Sequence, residues 1–204
     1  MITTQTPSSI RIADPVRGIA AGALAGLVAS ALMDGFQALV ADAFPKTDAP
    51  PATEEAADAV TRAVTGAPLP EDRKAGGGIA VHYAFGILIG AAYGGLAERW
   101  PSVTRGSGSL FGSATALVFD EIATPMLGLA PPPERVPAAL HGFGLASHLV
   151  FGVTTEALRR LLRGGRFAAP ARRRPFTSAA QGPMRLRWTK PCLAMPPATL
   201  PNIR

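Results

Sequence analysis

Two aspartates and two histidines are the residues of this 204-residue chain whose types and spacing could do chemistry. Asp34 and Asp120 each follow a stripe of small residues four positions apart: Gly18, Gly22, Gly26, Ser30, then Asp34, and Gly108, Gly112, Ala116, then Asp120. His82 and His148 open two related pentapeptides, His82-Tyr83-Ala84-Phe85-Gly86 and His148-Leu149-Val150-Phe151-Gly152. A carboxylate beside an imidazole can relay protons, because histidine titrates near neutral pH and a desolvated carboxyl is raised toward it. Two imidazoles on different helices can instead hold a haem iron or another metal. The plainest use of such groups is a hydrogen-bonded tie between helices, worth about 0.6–2 kcal/mol. Glu121, next to Asp120, joins this set of polar candidates.

The elements that must position these groups are helices. A spacing of four keeps residues near one stripe of a helix, and small stripes let helix backbones touch, a main source of helix association in lipid. Hydrophobic residues make up 48% of the chain and charged residues only 17%, with a mean hydropathy of +0.22. Ala75 to Ala97 and Val136 to Thr155 carry no formal charge over 23 and 20 residues, and a spanning helix needs about 20 apolar residues. Gly18 to Met33 and Gly106 to Phe119 are shorter runs that reach spanning length when Asp34, or Asp120 with Glu121, lies inside or at the edge of the membrane. Neither has the broad charged face of a soluble amphipathic helix. We therefore expect an all-α membrane protein with four spans near 18–41, 76–97, 107–129 and 137–160. Three spans, or a soluble helical bundle, are the alternatives.

A cleaved signal peptide competes for the first run, since Arg11 and Arg17 precede it and Ala29-Ser30-Ala31 has the small-x-small form of a cleavage site. Seventeen residues precede the apolar stretch, however, and its character continues past that site, so we expect an uncleaved helix. Basic residues near the span ends then orient the chain. From Arg159 to Arg204 there are 11 basic residues and no acid, whereas the connection 42–75 is acidic. Both termini are expected in the cytoplasm, with residues 1–15 as an N-terminal segment, 16–163 as the transmembrane domain and 164–204 as a basic, disordered tail. Nucleic-acid binding is not expected, because Trp188 alone makes no stacking surface. The single Cys192 forms no internal disulfide and no cysteine metal site.

Depth groups the polar residues. At 1.5 Å per residue, Asp34 lies about 24 Å along the first span and Asp120 about 20 Å along the third. His82 and His148, on spans running the other way, lie roughly 10 to 17 Å below their outer ends. All four fall in the outer half of the bilayer, where pairing neutralises two otherwise expensive groups. The matched acids and pentapeptides also suggest a tandem repeat of a two-helix unit. Glu98 and Glu156 lie toward the inner face beside Arg99 and Arg159-Arg160, where local pairing or snorkelling accounts for them. His141 is placed at the outer interface. Helix packing is assigned to Gly18, Gly22, Gly26 and Ser30, to Gly86, Gly90 and Gly94, and to Gly108, Gly112 and Gly152.

Met126-Leu127-Gly128-Leu129-Ala130-Pro131-Pro132, Pro137, Ser147-His148, Gly152 and Glu156 with Arg159-Arg160 together resemble the YagU-like family of bacterial multi-pass inner-membrane proteins. The resemblance is strongest over about residues 110 to 163 and extends from residue 16; Ser147 stands where the family tends to place glycine. It implies inner-membrane residence and self-association, and it supplies no reaction. No phosphate-binding glycine loop, HExxH, nucleophile elbow or CxxC occurs. The expected protein is non-enzymatic, structural or stress-related, with no cofactor, no catalytic or metal-binding residue assigned, and the lipid bilayer and its own copies as partners. A small proton or ion transporter using Asp34, His82, Asp120 and His148 is the second reading, and a haem- or metal-binding membrane subunit the third.

Overall fold

The computed structural model describes residues 14–47 and 49–164, and the account below is confined to them. The N-terminal segment before Asp14, the basic tail beyond Gly164, Trp188 and Cys192 lie outside the described residues. Helices α1 (Pro15–Val40), α2 (Ala52–Thr65), α3 (Glu71–Arg99), α4 (Ser109–Thr115), α5 (Thr124–Met126) and α6 (Ala138–Leu162) make up the fold, and the described residues form no strand. Between α4 and α5 the chain winds as a π-helix over Ala116–Ala123.

Local chemistry marks the helix ends. The Arg17 amide donates to Asp14 Oδ1 at 3.1 Å, and Pro15 occupies the first turn of α1, where its missing N–H costs nothing. Helix α2 follows Pro51, carries Glu54 and Glu55 at its positive end, and stops at Gly66, whose φ of +76° suits only glycine well. Helix α3 begins at Glu71, so Glu71 to Lys74 form its first turn and the helix outruns its apolar stretch. Two helices, Pro15–Ala43 and Glu71–Arg99, are long and apolar enough to cross a membrane. The third run is broken up instead: the π segment and Pro125 divide it into short pieces.

Glycines set the closest contacts. A Cβ at Gly22 would collide with the Gly90 carbonyl oxygen, one at Gly26 with that of Gly86, and one at Gly94 with that of Gly18. Thus α1 and α3 meet along Gly18–Gly22–Gly26 and Gly94–Gly90–Gly86. A second contact joins α4 to α6, with Gly152 against the Gly108 carbonyl and the Gly112 backbone. Gly108 needs its residue type twice, for a φ of +90° and for that contact.

Burial runs opposite to that of a protein folded in water. The largest fully buried side chains are Glu156, Thr155, Ser30 and Ser147. The buried face of α1 is Gly18, Ala21, Gly22, Ala25, Gly26, Ala29, Ser30 and Met33. Leu24, Val28, Leu32, Ile79, Leu88, Leu117, Ile122 and Leu162 are exposed. Only Ala29, Met33 and Phe151, flanked by Ile89 and Phe111, make an apolar cluster.

Candidate functional site

Helical rise and the α1–α3 contact bring Asp34 and His82 together, with His82 Nε2 3.1 Å from Asp34 Oδ1. The pair is close enough for charge interaction but lies off the line of a hydrogen bond, so buried Nε2 lacks a hydrogen-bond partner. The Tyr83 hydroxyl interacts with the same carboxylate. A second pair repeats the first on the other helices: His148 Nδ1 lies 3.1 Å from Asp120 Oδ2 and 3.0 Å from the Gly144 carbonyl oxygen. Asp34 follows Gly26 by eight residues and Asp120 follows Gly112 by eight, while each histidine precedes Gly86 or Gly152 by four. Each carboxylate therefore meets its imidazole about two turns beyond its glycine crossing.

The π-helix decides where the two adjacent acids go. Its wider turn lets Asp120 reach His148, while Glu121 reaches His141, seven residues earlier on α6. His141 Nδ1 lies 2.7 Å from Glu121 Oε1 and its Nε2 lies 3.1 Å from the Pro133 carbonyl oxygen. Glu121 is thus apart from the other four candidates, and His141 ties α6 both to it and to the proline-rich turn. π segments are rare and occur often at functional sites.

Both Asp–His pairs line one cavity of about 690 Å³. Its walls come from α1, α3, the π segment and α6, with Phe85, Phe119 and Phe151 among the apolar residues, and the first turn of α2 adds Glu54. Ser30 also lines it; the side chain is 1% exposed and its hydroxyl has no hydrogen-bond partner. Among the described residues no group of three or more His, Cys, Asp or Glu is placed to hold a metal ion. Each imidazole instead faces its own aspartate.

At the opposite ends of α3 and α6, Glu156 makes the local pairing with Arg159 and Arg160 read from the sequence, but it does not snorkel. Glu98 pairs with Arg163 and Arg159 rather than with Arg99. Glu156 is buried, 1% exposed, in a network that crosses helices. The Tyr93 hydroxyl donates to Glu156 Oε2 at 3.0 Å, and Arg159 Nε donates to the same oxygen at 2.8 Å. Arg160 donates to Oε1. Glu98 takes a two-pronged pair from Arg163 at 2.8 and 2.9 Å. The residue spacing held a clue: Ser147, Phe151, Thr155 and Arg159 recur every fourth position on the buried face of α6, and Glu156 lies on that face. Sequence alone did not place Tyr93 opposite them.

Outside the helix bundle, Asp58 anchors α2. Its carboxylate accepts from Arg62 Nε at 2.7 Å and from the Leu69 amide at 2.6 Å. Those two donors hold its carboxyl below the ordinary value of 3.8.

Residues 69–157 match the model of a family described as protein of unknown function, DUF1440. This stretch is similar to the DUF1440 proteins. The YagU-like proteins belong to DUF1440, which bears out the resemblance read from the third loop and fourth helix. The DUF1440 match takes in His82, the Asp120–His148 pair, the Glu121–His141 pair and Glu156, but not Asp34. No curated protein and no solved structure matches the chain.

Proposed function

We propose that this chain is a four-span inner-membrane protein of bacteria with both termini in the cytoplasm, acting as a non-enzymatic structural or stress-related component. The observation that carries this reading is the reversed burial. Small and polar side chains occupy the helix contacts while Leu, Ile and Val point outward, a distribution that suits a hydrocarbon surround and would be costly in water. In lipid, glycine contacts such as Gly22 with Gly90 supply the close packing that burial of large apolar groups supplies elsewhere. Helices α1 and α3 have the length and apolarity to span unaided; α6 and the composite α4–π–α5 span beside them, their ionisable groups turned inward and paired. Because Gly18, Gly22 and Gly26 are covered by α3, self-association uses other faces. Gly35, Gly76 and Gly142 have nothing within 4 Å of where a Cβ would stand.

Single cysteines in a Cys192→Ser background test the topology. Ala67→Cys and Glu134→Cys should react with an impermeant maleimide in intact cells, and Ser102→Cys only after the membrane is opened. Labelling of Ser102→Cys in intact cells, or a protein recovered from the soluble fraction, would overturn the reading.

A second reading, a small proton or ion transporter, is favoured by one observation: both Asp–His pairs line the same cavity. Proton flux in proteoliposomes that disappears in Asp120→Asn supports it, and flux equal to that of empty liposomes removes it.

A further inference from the structure

We propose that the cavity between α1, α3, the π segment and α6 binds an organic cation with an apolar body, such as a lipophilic amine or a quaternary ammonium or phosphonium ion. This rests on the second reading above, that the cavity handles cations, and names the class of cation. Volume is the first argument, because about 690 Å³ suits a small organic molecule and far exceeds the need of a bare ion. Charge is the second. Asp34, Glu54 and Asp120 line the cavity and neither lysine nor arginine does, so three carboxylates face the two imidazoles of His82 and His148. The third argument is what the walls lack. A sodium or calcium ion needs six or so converging oxygen ligands to replace its hydration shell, and among the described residues no three carboxylates or imidazoles converge to hold a metal ion. The aromatic and aliphatic part of the wall, Phe85, Phe119 and Phe151 among it, suits the body of an organic cation.

The cluster of acids is not the only feature pointing to a ligand. Ser30 is almost wholly buried on the cavity wall with an unpaired hydroxyl, and His82 Nε2 is buried beside it without a hydrogen-bond partner. Buried polar groups are normally satisfied, since an orphan costs about 1–3 kcal/mol. The N–H groups of a protonated amine held between Asp34 and Asp120 would give both atoms a partner; a quaternary head satisfies the charge alone.

The test uses two ions of the same shape and opposite charge, tetraphenylphosphonium and tetraphenylborate, with the purified full chain in nanodiscs and empty nanodiscs as reference. Saturable binding of the phosphonium at one per chain, with no saturable binding of the borate, is the expected result. Asp34→Asn combined with Asp120→Asn should weaken phosphonium binding about tenfold or more, Glu54→Gln on α2 should weaken it by a smaller factor, and Asp14→Asn should leave it unchanged. Equal uptake of both ions, or phosphonium binding unaltered by the carboxylate variants, overturns the proposal. The wild-type comparison of the two ions decides even where the double variant fails to fold. Phosphonium binding without proton flux keeps this proposal and removes proton transport. Proton flux without discrimination between the two ions does the reverse.

Discussion

Asp120 and His148 stand 3.1 Å apart, the same separation as Asp34 and His82 on the other two long helices. Each pair sits about two turns past a glycine crossing, so the two halves of the bundle present one carboxylate–imidazole unit each to a shared cavity. This relationship ties the glycine stripes to the chemistry: the stripes set how near the helices come, and that approach brings the polar ends together.

The equivalence of the pairs predicts equivalent costs. Asp34→Asn and Asp120→Asn should each lower stability by about 0.6–2 kcal/mol, the range of interhelical ties in membranes. Thermal unfolding in detergent checks this. A loss in one variant many times that in the other would show that the two pairs are not alike.

Glycine contacts predict a sharp contrast between sites. Gly22→Leu and Gly90→Leu put side-chain atoms into the opposing backbone, which cannot yield as a flexible side chain would. Overpacking costs about 1–3 kcal/mol or more. Gly35→Leu and Gly76→Leu meet nothing within 4 Å and should leave the melting temperature close to that of the parent.

Glu156→Gln should be among the most damaging single changes. It leaves Arg159, itself largely buried, with half its compensation, and breaking a buried pair costs about 3–5 kcal/mol. Tyr93→Phe removes one hydrogen bond to the same carboxylate and should cost about 1 kcal/mol. Detergent unfolding curves of the two variants, with Glu134→Gln on the proline-rich turn as an unchanged control, read the difference.

Asp58 makes the anchoring of α2 depend on pH. Arg62 and the Leu69 amide favour the ionised carboxyl, so its folded value lies below the ordinary 3.8. A depressed carboxyl contributes stability above the ordinary value and loses it as the pH falls through the folded one. Protection of the Leu69 amide, its exchange relative to the unstructured rate at the same pH, should be high at neutral pH and fall below about pH 4. Asp58→Asn should show low protection at neutral pH, with little further change on acidification; high protection in that variant would show that the carboxylate is not the anchor.

The helical runs were legible in the chain, because small residues recurring every fourth position through long uncharged stretches keep to one stripe of a helix. Counting at a fixed rise also put Asp34, Asp120, His82 and His148 at one expected level, and the two pairs do line one cavity. The relation of both histidines to a glycine four residues on was equally legible. Lateral choices were not. That Asp34 takes His82 and Asp120 takes His148 depends on which helices touch, and helical periodicity says nothing of a partner's identity. The π-helix over Ala116–Ala123 was not read from any local signature, and within it Asp120 and Glu121 reach different histidines on α6. The pairing of Glu156 with its neighbouring arginines was legible, but its burial and its bond from Tyr93 on α3 depend on which helices meet. The cavity belongs to tertiary structure for the same reason: a volume is enclosed by surfaces far apart in the chain, and no local pattern records it.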